Sequence, residues 1–418
     1  MRILKKCKIL WPFLISALLL VCLCVPVFAE DTVTTADTEQ SQKASEITEI
    51  YDYNDLLKII DNHEGAYKLM ADIDLADVIW EPLDFSGTLD GNGHAILNVT
   101  INQFGAHKQK TYDGNMVEYD TSFSGFFGTL QNATVSNLQL LGVKINLNSS
   151  SECFAGGVAG YMDQSRISDV AIEGEATLYT TAKSFGLGGI AGFGNGQIEN
   201  SRSDMTLVCV DEDAENLDEQ FMGGAYAAGY IDLSKNDVHI NGYISEHGYV
   251  HSGGLIGMYV LYPAGTEYQG YVTNNKVAGS ISFFEDNEDR RAYCEPVAGE
   301  IMNWTFVMDG NEDDFMPDEH FEYDVNLLPH DCVDPTWQDV ITPATHTDYG
   351  YTTHTCTNCL EYSYRSDYTM PVHEVESWTV TREATGEEEG IRQGSCKECG
   401  TVVFERMPTV SADAEVAA

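Results

Sequence analysis

Glycine-rich boxes recur through the middle of the chain at a nearly constant interval. Successive boxes are separated by 31, 32, 35 and 30 residues, and their first residues are Gly125, Gly156, Gly188, Gly223 and Gly253. Self-similarity at such a period is typical of a solenoid, in which each repeat forms one turn of chain that stacks on its neighbours. The glycines then allow positive φ at corners, or let the backbone of one turn approach the next.

The segments between the boxes favour a solenoid built of strands. Stretches such as 167–172 and 272–277 alternate apolar and polar residues, and they are interrupted by Gly and Asn where a helix would fail. A single turn cannot bury its inner face, whereas turns stacked at ~4.8 Å pair every strand with its neighbours. We therefore predict an all-β chain whose centre, residues 50–325, is a right-handed parallel β-helix, a form of β-solenoid.

A short amphipathic capping helix is predicted before the repeats. The apolar residues with helical spacing are Tyr53, Leu56, Leu57 and Ile60. Asp52 or Asn54 is available as the N-cap. We expect this helix to cover the open edge of the first turn, which would otherwise invite aggregation. Strands are then expected at 67–69, 72–75, 85–89 and 95–101, and the acidic stretch 309–324 is expected to form a cap or loop.

The boxes resemble a known family of repeats. Each has the form G-G-h-x-G followed by h-x-[ND]-h, where h is apolar, and this combination resembles the GLUG motif repeats of exported bacterial proteins. The preceding stretches YKLMADIDLADVIWEPL, FSGTLDGNGHAILNV and FSGFFGTL are similar to the segment that leads into those repeats. The resemblance covers about residues 50–300, and it implies a β-helix with an adhesin-like surface role and no active site. The fourth box is interrupted at 223–229 and a sixth near 296–299 is degenerate, so the number of C-terminal turns stays open.

The first residues have the features of an export signal. Four basic residues precede an apolar run at 9–27, and the small residue Ala29 offers a cleavage site. We predict a signal peptide at 1–29 and a polar flexible leader at 30–49. The alternative is a retained anchor helix, because the apolar run is nearly long enough to span a bilayer. Residues 409–418 are expected to form an acidic tail without a sortase signal, so we expect an extracellular protein, secreted or non-covalently surface-associated.

The composition is strongly acidic. The chain has 66 acidic and 22 basic residues, which gives a formal charge of −44. Loss of the signal peptide would remove four of the basic residues and bring the charge to −48. Such a charge repels nucleic acid and anionic membranes, so neither is expected as a partner.

Two tandem C-x-x-C units are expected near the C-terminus, at 329–371 and 372–408. The pattern from Ala344 to Cys359 recurs 40 residues later from Ala384 to Cys399. The units resemble short C-x-x-C repeats that end many exported proteins of anaerobic bacteria. We expect two small β-rich modules.

The cysteines of these units are candidate zinc ligands, namely Cys356, Cys359, Cys396 and Cys399. Four thiolates at this spacing reach one tetrahedral ion from two tight turns. The 36 residues between the pairs exceed the usual spacing, so a second arrangement gives each pair its own metal with His354 or His373. Closure of each pair as a disulfide is the third interpretation, and an exported location favours it.

Two further groups of residues have structural interpretations. The isolated cysteines are expected to be small buried apolar residues, and they are Cys153, Cys209, Cys294 and Cys332. Eight of the 22 tyrosines fall between Tyr226 and Tyr271. Strand propensity explains most of this cluster, and an aromatic face for sugars or a protein partner is the functional alternative.

No coherent catalytic set is visible in the sequence. Asp72 and Asp74 lie two apart on a predicted strand, and so share a face as paired carboxylates in a polysaccharide-cleaving enzyme would. Asp90 and His94 flank a turn where Asp usually bonds local backbone. The stretch 309–313 begins like a calcium loop but lacks the required Gly and Glu further on. Neither an H-E-x-x-H nor a G-x-S-x-G motif occurs.

We therefore expect a non-catalytic secreted or cell-surface binding or adhesion protein. Its expected partner is an extracellular glycan or a host or bacterial surface protein. The alternative is a carbohydrate-active β-helix enzyme, either a polysaccharide lyase or a glycoside hydrolase. An enzyme of that kind requires carboxylates that converge in one groove over the turns.

Overall fold

The computed structural model describes residues 47–112, 118–211, 219–245, 249–259, 270–284, 291–301, 306–317, 336–358 and 363–410. The predicted signal peptide, Cys332 and Cys359 lie outside these ranges. Across the described ranges, every helix is too short and too polar to cross a bilayer.

Short strands dominate the chain. The first elements are β1 (Ile47–Ile50), α1 (Tyr53–Leu56), α2 (Lys58–Asp61), β2 (Ala66–Leu69), β3 (Ile73–Asp74), β4 (Leu83–Phe85), β5 (Thr88–Asp90), β6 (Ala95–Leu97), β7 (Thr100–Ile101) and β8 (Lys108–Tyr112). The middle of the chain forms β9 (Glu118–Ser124), β10 (Phe127–Gln131), β11 (Thr134–Ser136), β12 (Gln139–Ser149), β13 (Cys153–Gly156), β14 (Ala159–Ser168), β15 (Ala171–Thr180), β16 (Ser184–Gly188), β17 (Ala191–Glu199) and β18 (Arg202–Asp211).

Eleven more strands continue the same pattern. They are β19 (Glu219–Gly223), β20 (Tyr226–Ser234), β21 (Asp237–Ser245), β22 (Tyr249–Gly253), β23 (Ile256–Tyr259), β24 (Gly270–Thr273), β25 (Lys276–Phe284), β26 (Arg291–Glu295), β27 (Ala298–Ile301), β28 (Phe306–Asp309) and β29 (Glu312–Pro317). The C-terminal strands are β30 (Trp337–Thr342), β31 (Gly350–Cys356), β32 (Ser363–Thr369), β33 (Thr379–Arg382), β34 (Gly390–Ser395) and β35 (Val402–Met407).

Three long sheets organise β1 to β29. Sheet A contains β1, β2, β4, β5, β10, β11, β14, β17, β20, β23, β24, β27 and β28. Sheet B contains β3, β6, β7, β12, β15, β18, β21, β25 and β29, and sheet C contains β8, β9, β13, β16, β19, β22 and β26. The strand pairs described in these sheets are parallel except β8 with β9.

The chain passes through the sheets in a fixed order. From β9 onward it visits sheet C, then A, then B, and returns to C one place further along the stack. We call each such passage a coil, and the described residues contain six: β9–β12, β13–β15, β16–β18, β19–β21, β22–β25 and β26–β29. The nearly all-β content and the long parallel sheets are consistent with the predicted solenoid.

The glycine boxes form the corner between sheets C and A. Gly156 ends β13, and its register partners in successive coils are Gly188, Gly223, Gly253 and Glu295. A Cβ atom on Gly156 would lie 2.4 Å from the Cα of Ala191 in the next coil, so only glycine fits there. The interrupted fourth box and the degenerate sixth box keep this register, so the coils continue to β29.

The h-x-[ND]-h motifs form the corner between sheets A and B. At this corner one residue per coil has a left-handed φ angle between 48° and 57°, namely Asn137, Asp169, Asn200, Lys235 and Asn274. Asn and Asp tolerate this conformation better than other side chains. In the sixth coil the corner residue is Gly310, with φ of 65°.

The acidic stretch 309–324 was expected to be a cap or loop, and that expectation is wrong for its described part. Asp309 ends β28, Gly310 turns the corner, and residues 312–317 form β29 on the edge of sheet B. This stretch forms the same kind of corner as the preceding coils, since Oδ1 of Asn311 accepts hydrogen bonds from the backbone N–H and Nδ2 of Asn275. Residues 318–324 lie outside the described ranges.

An asparagine ladder runs through the buried side of this corner. The backbone N–H of Asn236 donates to Oδ1 of Asn275 at 3.0 Å, and that of Asn275 donates to Oδ1 of Asn311 at 3.0 Å. The Nδ2 of each ladder residue also donates to a backbone carbonyl of the preceding coil, as Asn275 does to Leu233. Because Asn236 and Asn275 are almost fully buried, these bonds satisfy groups that water cannot reach.

The N-terminal segment differs in detail from its prediction. Residues 47–50, at the end of the predicted leader, form β1 and pair with β2. Asp52 is the N-cap, since its side chain accepts from the N–H of Asp55. The helix is broken at Leu57, where the N–H of Ile60 bonds three residues back instead of four. The rotated chain buries Ile59 and leaves Ile60 44% exposed.

Two small antiparallel sheets follow the coils. β30–β31–β32 form module 1 and β33–β34–β35 form module 2, and both modules have the same topology. Gly350 and Gly390 begin the central strand of each, in agreement with the 40-residue repeat.

Both modules contact the rest of the fold through side chains. In module 1, the N–H of Tyr368 donates to Oδ1 of Asn98 at 3.1 Å, and Nδ2 of Asn98 donates to the Tyr368 carbonyl at 3.0 Å. The Tyr368 ring packs against Leu97 and Leu141 on the outer face of sheet B. In module 2, Arg406 pairs with Asp52 at 2.6 Å and with the buried carboxylate of Asp55.

Candidate metal centre and ligand-binding groove

Three metal-ligating side chains meet in module 2. Cys396 and Cys399 lie in the tight turn between β34 and β35, and His373 comes from the segment before β33. One ligand atom from each residue lies within 4.8 Å of the other two. The Sγ of Cys399 is 3.5 Å from Nδ1 of His373.

This spacing fits a tetrahedral zinc site. Zinc binds thiolate at about 2.3 Å and imidazole at about 2.0–2.1 Å, so a tetrahedral angle places the two ligand atoms about 3.6 Å apart. The distance between Cys399 and His373 agrees with that value. The donor set, two thiolates and one imidazole, is also one that zinc prefers.

The turn lowers the pKa of one thiol. Backbone N–H groups of Cys399 and Glu398 point at Cys396 and, with His373 and Cys399, lower its pKa to about 6, although burial acts in the opposite direction. Cys396 is therefore a thiolate at neutral pH, the form that binds metal. Buried Cys153 contrasts with it, because burial raises the pKa of that thiol to about 12.

Local pairing holds His373 against the turn. Val375 forms a bridge with Cys396, and the N–H of Lys397 donates to the Glu374 carbonyl at 3.0 Å. The Lys397 ammonium also pairs with the Glu374 carboxylate at 2.7 Å. The two residues after His373 are thus tied to the cysteine turn, which fixes the position of the imidazole before any ion arrives.

Only some of the predicted metal ligands lie close together in the structure. It brings Cys396 and Cys399 together with His373, as the second arrangement proposes for one pair. Cys356 is buried at the end of β31 and is not in this group, and Cys359 lies outside the described ranges, so the site with four shared thiolates stays a prediction. Both ring nitrogens of His354 are engaged, by Asp339 at 2.7 Å and by Ser366 at 2.8 Å.

The cysteines that the structure describes are free thiols: Cys153, Cys209, Cys294, Cys356, Cys396 and Cys399. Cys153 and Cys209 are fully buried in the main apolar core. The interpretation of these two as small buried apolar residues is confirmed, whereas Cys294 is only partly buried against that core. The tyrosine cluster divides in two, because Tyr226 and Tyr259 are core residues whereas Tyr271 is 46% exposed.

The candidate carboxylates of the enzyme alternative are bound by the scaffold. Asp72 accepts from a ring nitrogen of His94 and from the N–H of Ala95, both at 3.0 Å. Asp74 accepts from the N–H of Ala76 at 3.0 Å and from Nδ2 of Asn98 at 2.8 Å. Both carboxylates therefore fix the turns around β3 and β6.

The same is true of Asp90. Its Oδ1 accepts from the N–H of Asn92 at 2.9 Å and from Nδ2 of Asn137 at 3.0 Å. The expected bond to local backbone is present.

A groove separates the outer face of sheet B from module 1. Its volume is about 730 Å³. The floor is a column of residues in register from strand to strand, Thr100, Lys144, Glu175, Thr206 and Asn241. β32 forms the facing wall with Tyr364, Ser366 and Asp367. Sequence reasoning did not find this groove, because it depends on how module 1 docks.

Six of the charged or titratable groups that line the groove form three pairs, and Asp74 and Asp367 add two further carboxylates. Lys144 lies 3.2 Å from Glu175, and Arg365 of the wall lies 3.6 Å from Glu173. Nδ1 of His239 lies 3.0 Å from the Asp204 carboxylate. This hydrogen bond lowers the pKa of Asp204 and raises the pKa of His239.

The fold and the site define a nearly all-β protein with long parallel sheets and a cysteine–histidine cluster. No family model and no curated protein matches the chain. Among solved structures it is similar to a chain described as IgA1 protease, with a TM-score of 0.37 and 11% identity. The match covers 85% of this chain and 34% of the other, so this chain spans about a third of the length of its match. A likeness at this level defines no shared activity.

Proposed function

We propose that this chain is a non-catalytic, adhesin-like binding protein that acts outside the cell. Its scaffold is a right-handed parallel β-helix of the kind that GLUG motif repeats form, preceded by a cleaved signal peptide. The right-handed coil follows from the strong preference of parallel strand connections for that hand. Stacked coils of this kind offer a long surface to extended ligands.

The scaffold role of the candidate carboxylates carries the non-catalytic part of the proposal. A glycosidase or lyase needs an acid and a base that face a shared groove. Asp74 lines the groove between sheet B and module 1, but its carboxylate and that of Asp72 each accept two hydrogen bonds from scaffold groups. Using them as acid or base would remove bonds that hold β3 and β6 together.

A paired screen tests binding against catalysis. The full-length protein is applied to an array of glycans and extracellular-matrix proteins, and the same polysaccharides are assayed for depolymerisation. We expect retained ligands and no released product. The matched variants are Asp74→Asn and, as a control on the same turn, Asp77→Asn. Product release that Asp74→Asn abolishes and Asp77→Asn preserves would replace the binding proposal with the enzyme alternative.

We also propose that module 2 holds one zinc ion through His373, Cys396 and Cys399. The support is the distance from Cys399 to His373, together with the position of all three ligand atoms within 4.8 Å of one another. Bound there, zinc would link the two ends of module 2 and so stabilise a sheet with little core of its own. Elemental analysis of protein purified under reducing conditions tests this, and metal-free protein with a Cys396–Cys399 disulfide would contradict it.

A further inference from the structure

We propose that the groove between sheet B and module 1 binds a neutral oligosaccharide, lying across the coils. This assignment rests on the proposed binding function and gives it a site and a class of ligand. Three features of the groove support it: its length, the pairing of most of its charged groups with each other, and a fixed aromatic ring in its wall.

The length of the groove suits a chain of several sugars. Its floor runs from Thr100 to Asn241 through Lys144, Glu175 and Thr206, one residue per strand of sheet B. Four strand spacings of ~4.8 Å give a floor of about 19 Å. The ligand would therefore cross the strands, and each strand would present one polar side chain to it.

The charges of the groove favour a neutral ligand. An anionic sugar is repelled by a chain with a formal charge of −44. A basic peptide would have to compete for carboxylates that are already occupied, such as Glu175 with Lys144 and Asp204 with His239. Sugar hydroxyls both donate and accept, so they can add to these paired groups without separating them.

The wall contributes a rigid aromatic ring. Tyr364 of β32 stacks on His354 with ring centroids 4.6 Å apart, and Trp337 meets it edge-on at 5.3 Å. Neighbouring rings on two sides fix its orientation. An aromatic ring that is ordered before binding gives contact area at little entropic cost, which is how such residues serve in ligand sites.

Blocking variants test the assignment. Thr206→Trp places a bulky ring on the groove floor. Ser280→Trp is the matched control, because Ser280 belongs to the same register column one strand beyond Asn241 and does not line the groove. Tyr364→Ala is the second groove variant. The probes are cello-, xylo- and manno-oligosaccharides, with a galacturonate oligomer and a lysine peptide beside them. Melting temperatures of all variants check that each protein is folded.

We expect a neutral oligosaccharide to bind the parent protein and Ser280→Trp equally. Thr206→Trp and Tyr364→Ala should weaken that binding by ~10-fold or more, a loss of about 1.4 kcal/mol. Binding of the lysine peptide alone, or equal binding by all folded variants, would overturn the groove assignment. If the array still shows a ligand that Thr206→Trp retains, the groove assignment fails while the proposed binding function stands.

Discussion

The stacked strands β1–β29, here called the body, and the C-terminal modules differ most in their buried apolar cores. The body buries a continuous apolar core that extends from Ile50 to Phe315. In the described part of the modules the buried apolar side chains are Cys356, Tyr368, Ile391 and Cys396. Two of these four are cysteines, and Tyr368 is buried against sheet B rather than within its own sheet.

This difference shows two ways to stabilise strands. In the body each coil supplies the partner that the next coil needs, so strand pairing and core grow together. A three-stranded sheet on its own is marginal, and needs an external link such as a metal or a docking surface. Each module has a link of a different kind. Module 1 is docked on sheet B through Tyr368, and module 2 has the His373–Cys396–Cys399 cluster.

Metal removal should have the largest effect, because it should unfold one module and leave the body folded. Chelation, or Cys396→Ser, should unfold module 2 and leave the coils intact, because metal-binding free energy of about 10 kcal/mol or more is folding free energy in small zinc modules. Hydrogen exchange would show lost protection in β34 and β35 and unchanged protection in β14–β18. Glu398→Gln, in the same turn, is the control, because its side chain is 60% exposed and its backbone is unchanged. Unchanged exchange in β34 after chelation would contradict the zinc proposal.

Loss of the Tyr368 ring should undock module 1. Tyr368→Ala removes a buried aromatic side chain, and should weaken docking by about 3 kcal/mol. Tyr368→Phe keeps the ring and loses only the hydroxyl contacts with Glu173 and Arg365, so its effect should be about 1.5 kcal/mol. Limited proteolysis between the coils and β30 measures docking. Similar cleavage rates for the two variants would show that the hydroxyl, rather than ring burial, holds module 1.

A bulkier corner should destabilise the coils and spare the modules. Gly156→Ala brings a Cβ atom to 2.4 Å from the Cα of Ala191, and overpacking of this kind costs about 1–3 kcal/mol. Gly93→Ala is the comparison, because Gly93 has positive φ but no atom within 4 Å of an added Cβ. Urea unfolding of the coils should show the larger loss for Gly156→Ala. The opposite ranking would mean that backbone conformation, not contact between coils, dictates glycine in the boxes.

The smallest expected effect is a pH dependence from Asp204 and His239. The pKa of Asp204 is lowered from 3.8, so its contribution to stability is present above that value and fades as pH falls below it. The pKa of His239 is raised from 6.5, so its contribution is full below that value and fades as pH rises above it. The pair should therefore stabilise sheet B between these two values, weakly because His239 is half exposed. Melting temperatures of the parent and of His239→Gln should converge at pH 9, and a constant difference across pH would contradict the ion pair.

The sequence predicts the repeating part of the fold better than its ends. Gly156 and its equivalents predict the corner between sheets C and A, and the h-x-[ND]-h motif predicts the corner between sheets A and B. Each corner requires a backbone conformation or a close approach that few residues allow. The motif does not show that the residue after the left-handed corner, as at Asn275, forms a buried ladder, since that depends on the coil above and below. The corner at Gly310 was not predicted, because the acidic composition of residues 309–324 favours a loop and the h-x-[ND]-h motif is absent there.

The candidate site was predicted in part for a similar reason. Cys396 and Cys399 are three residues apart, so their proximity follows from a local turn. His373 lies more than twenty residues away, and the sequence offers His354 equally well as a ligand. The bridge between Val375 and Cys396 is what brings His373 to the cysteines. The groove could not be predicted at all, because it exists only where module 1 meets sheet B.

The shared register of the corners also bears on how such a gene can change. Gly188, Gly223 and Gly253 occupy the same place in consecutive coils. An in-frame deletion from one of these codons to the next would remove a whole coil and rejoin the chain at an equivalent corner. Unequal recombination could therefore shorten or lengthen the body one coil at a time. Tyr368 docks beside Leu97 and Leu141, so changes between Gly188 and Gly253 would alter the length of the protein and keep the residues of that contact.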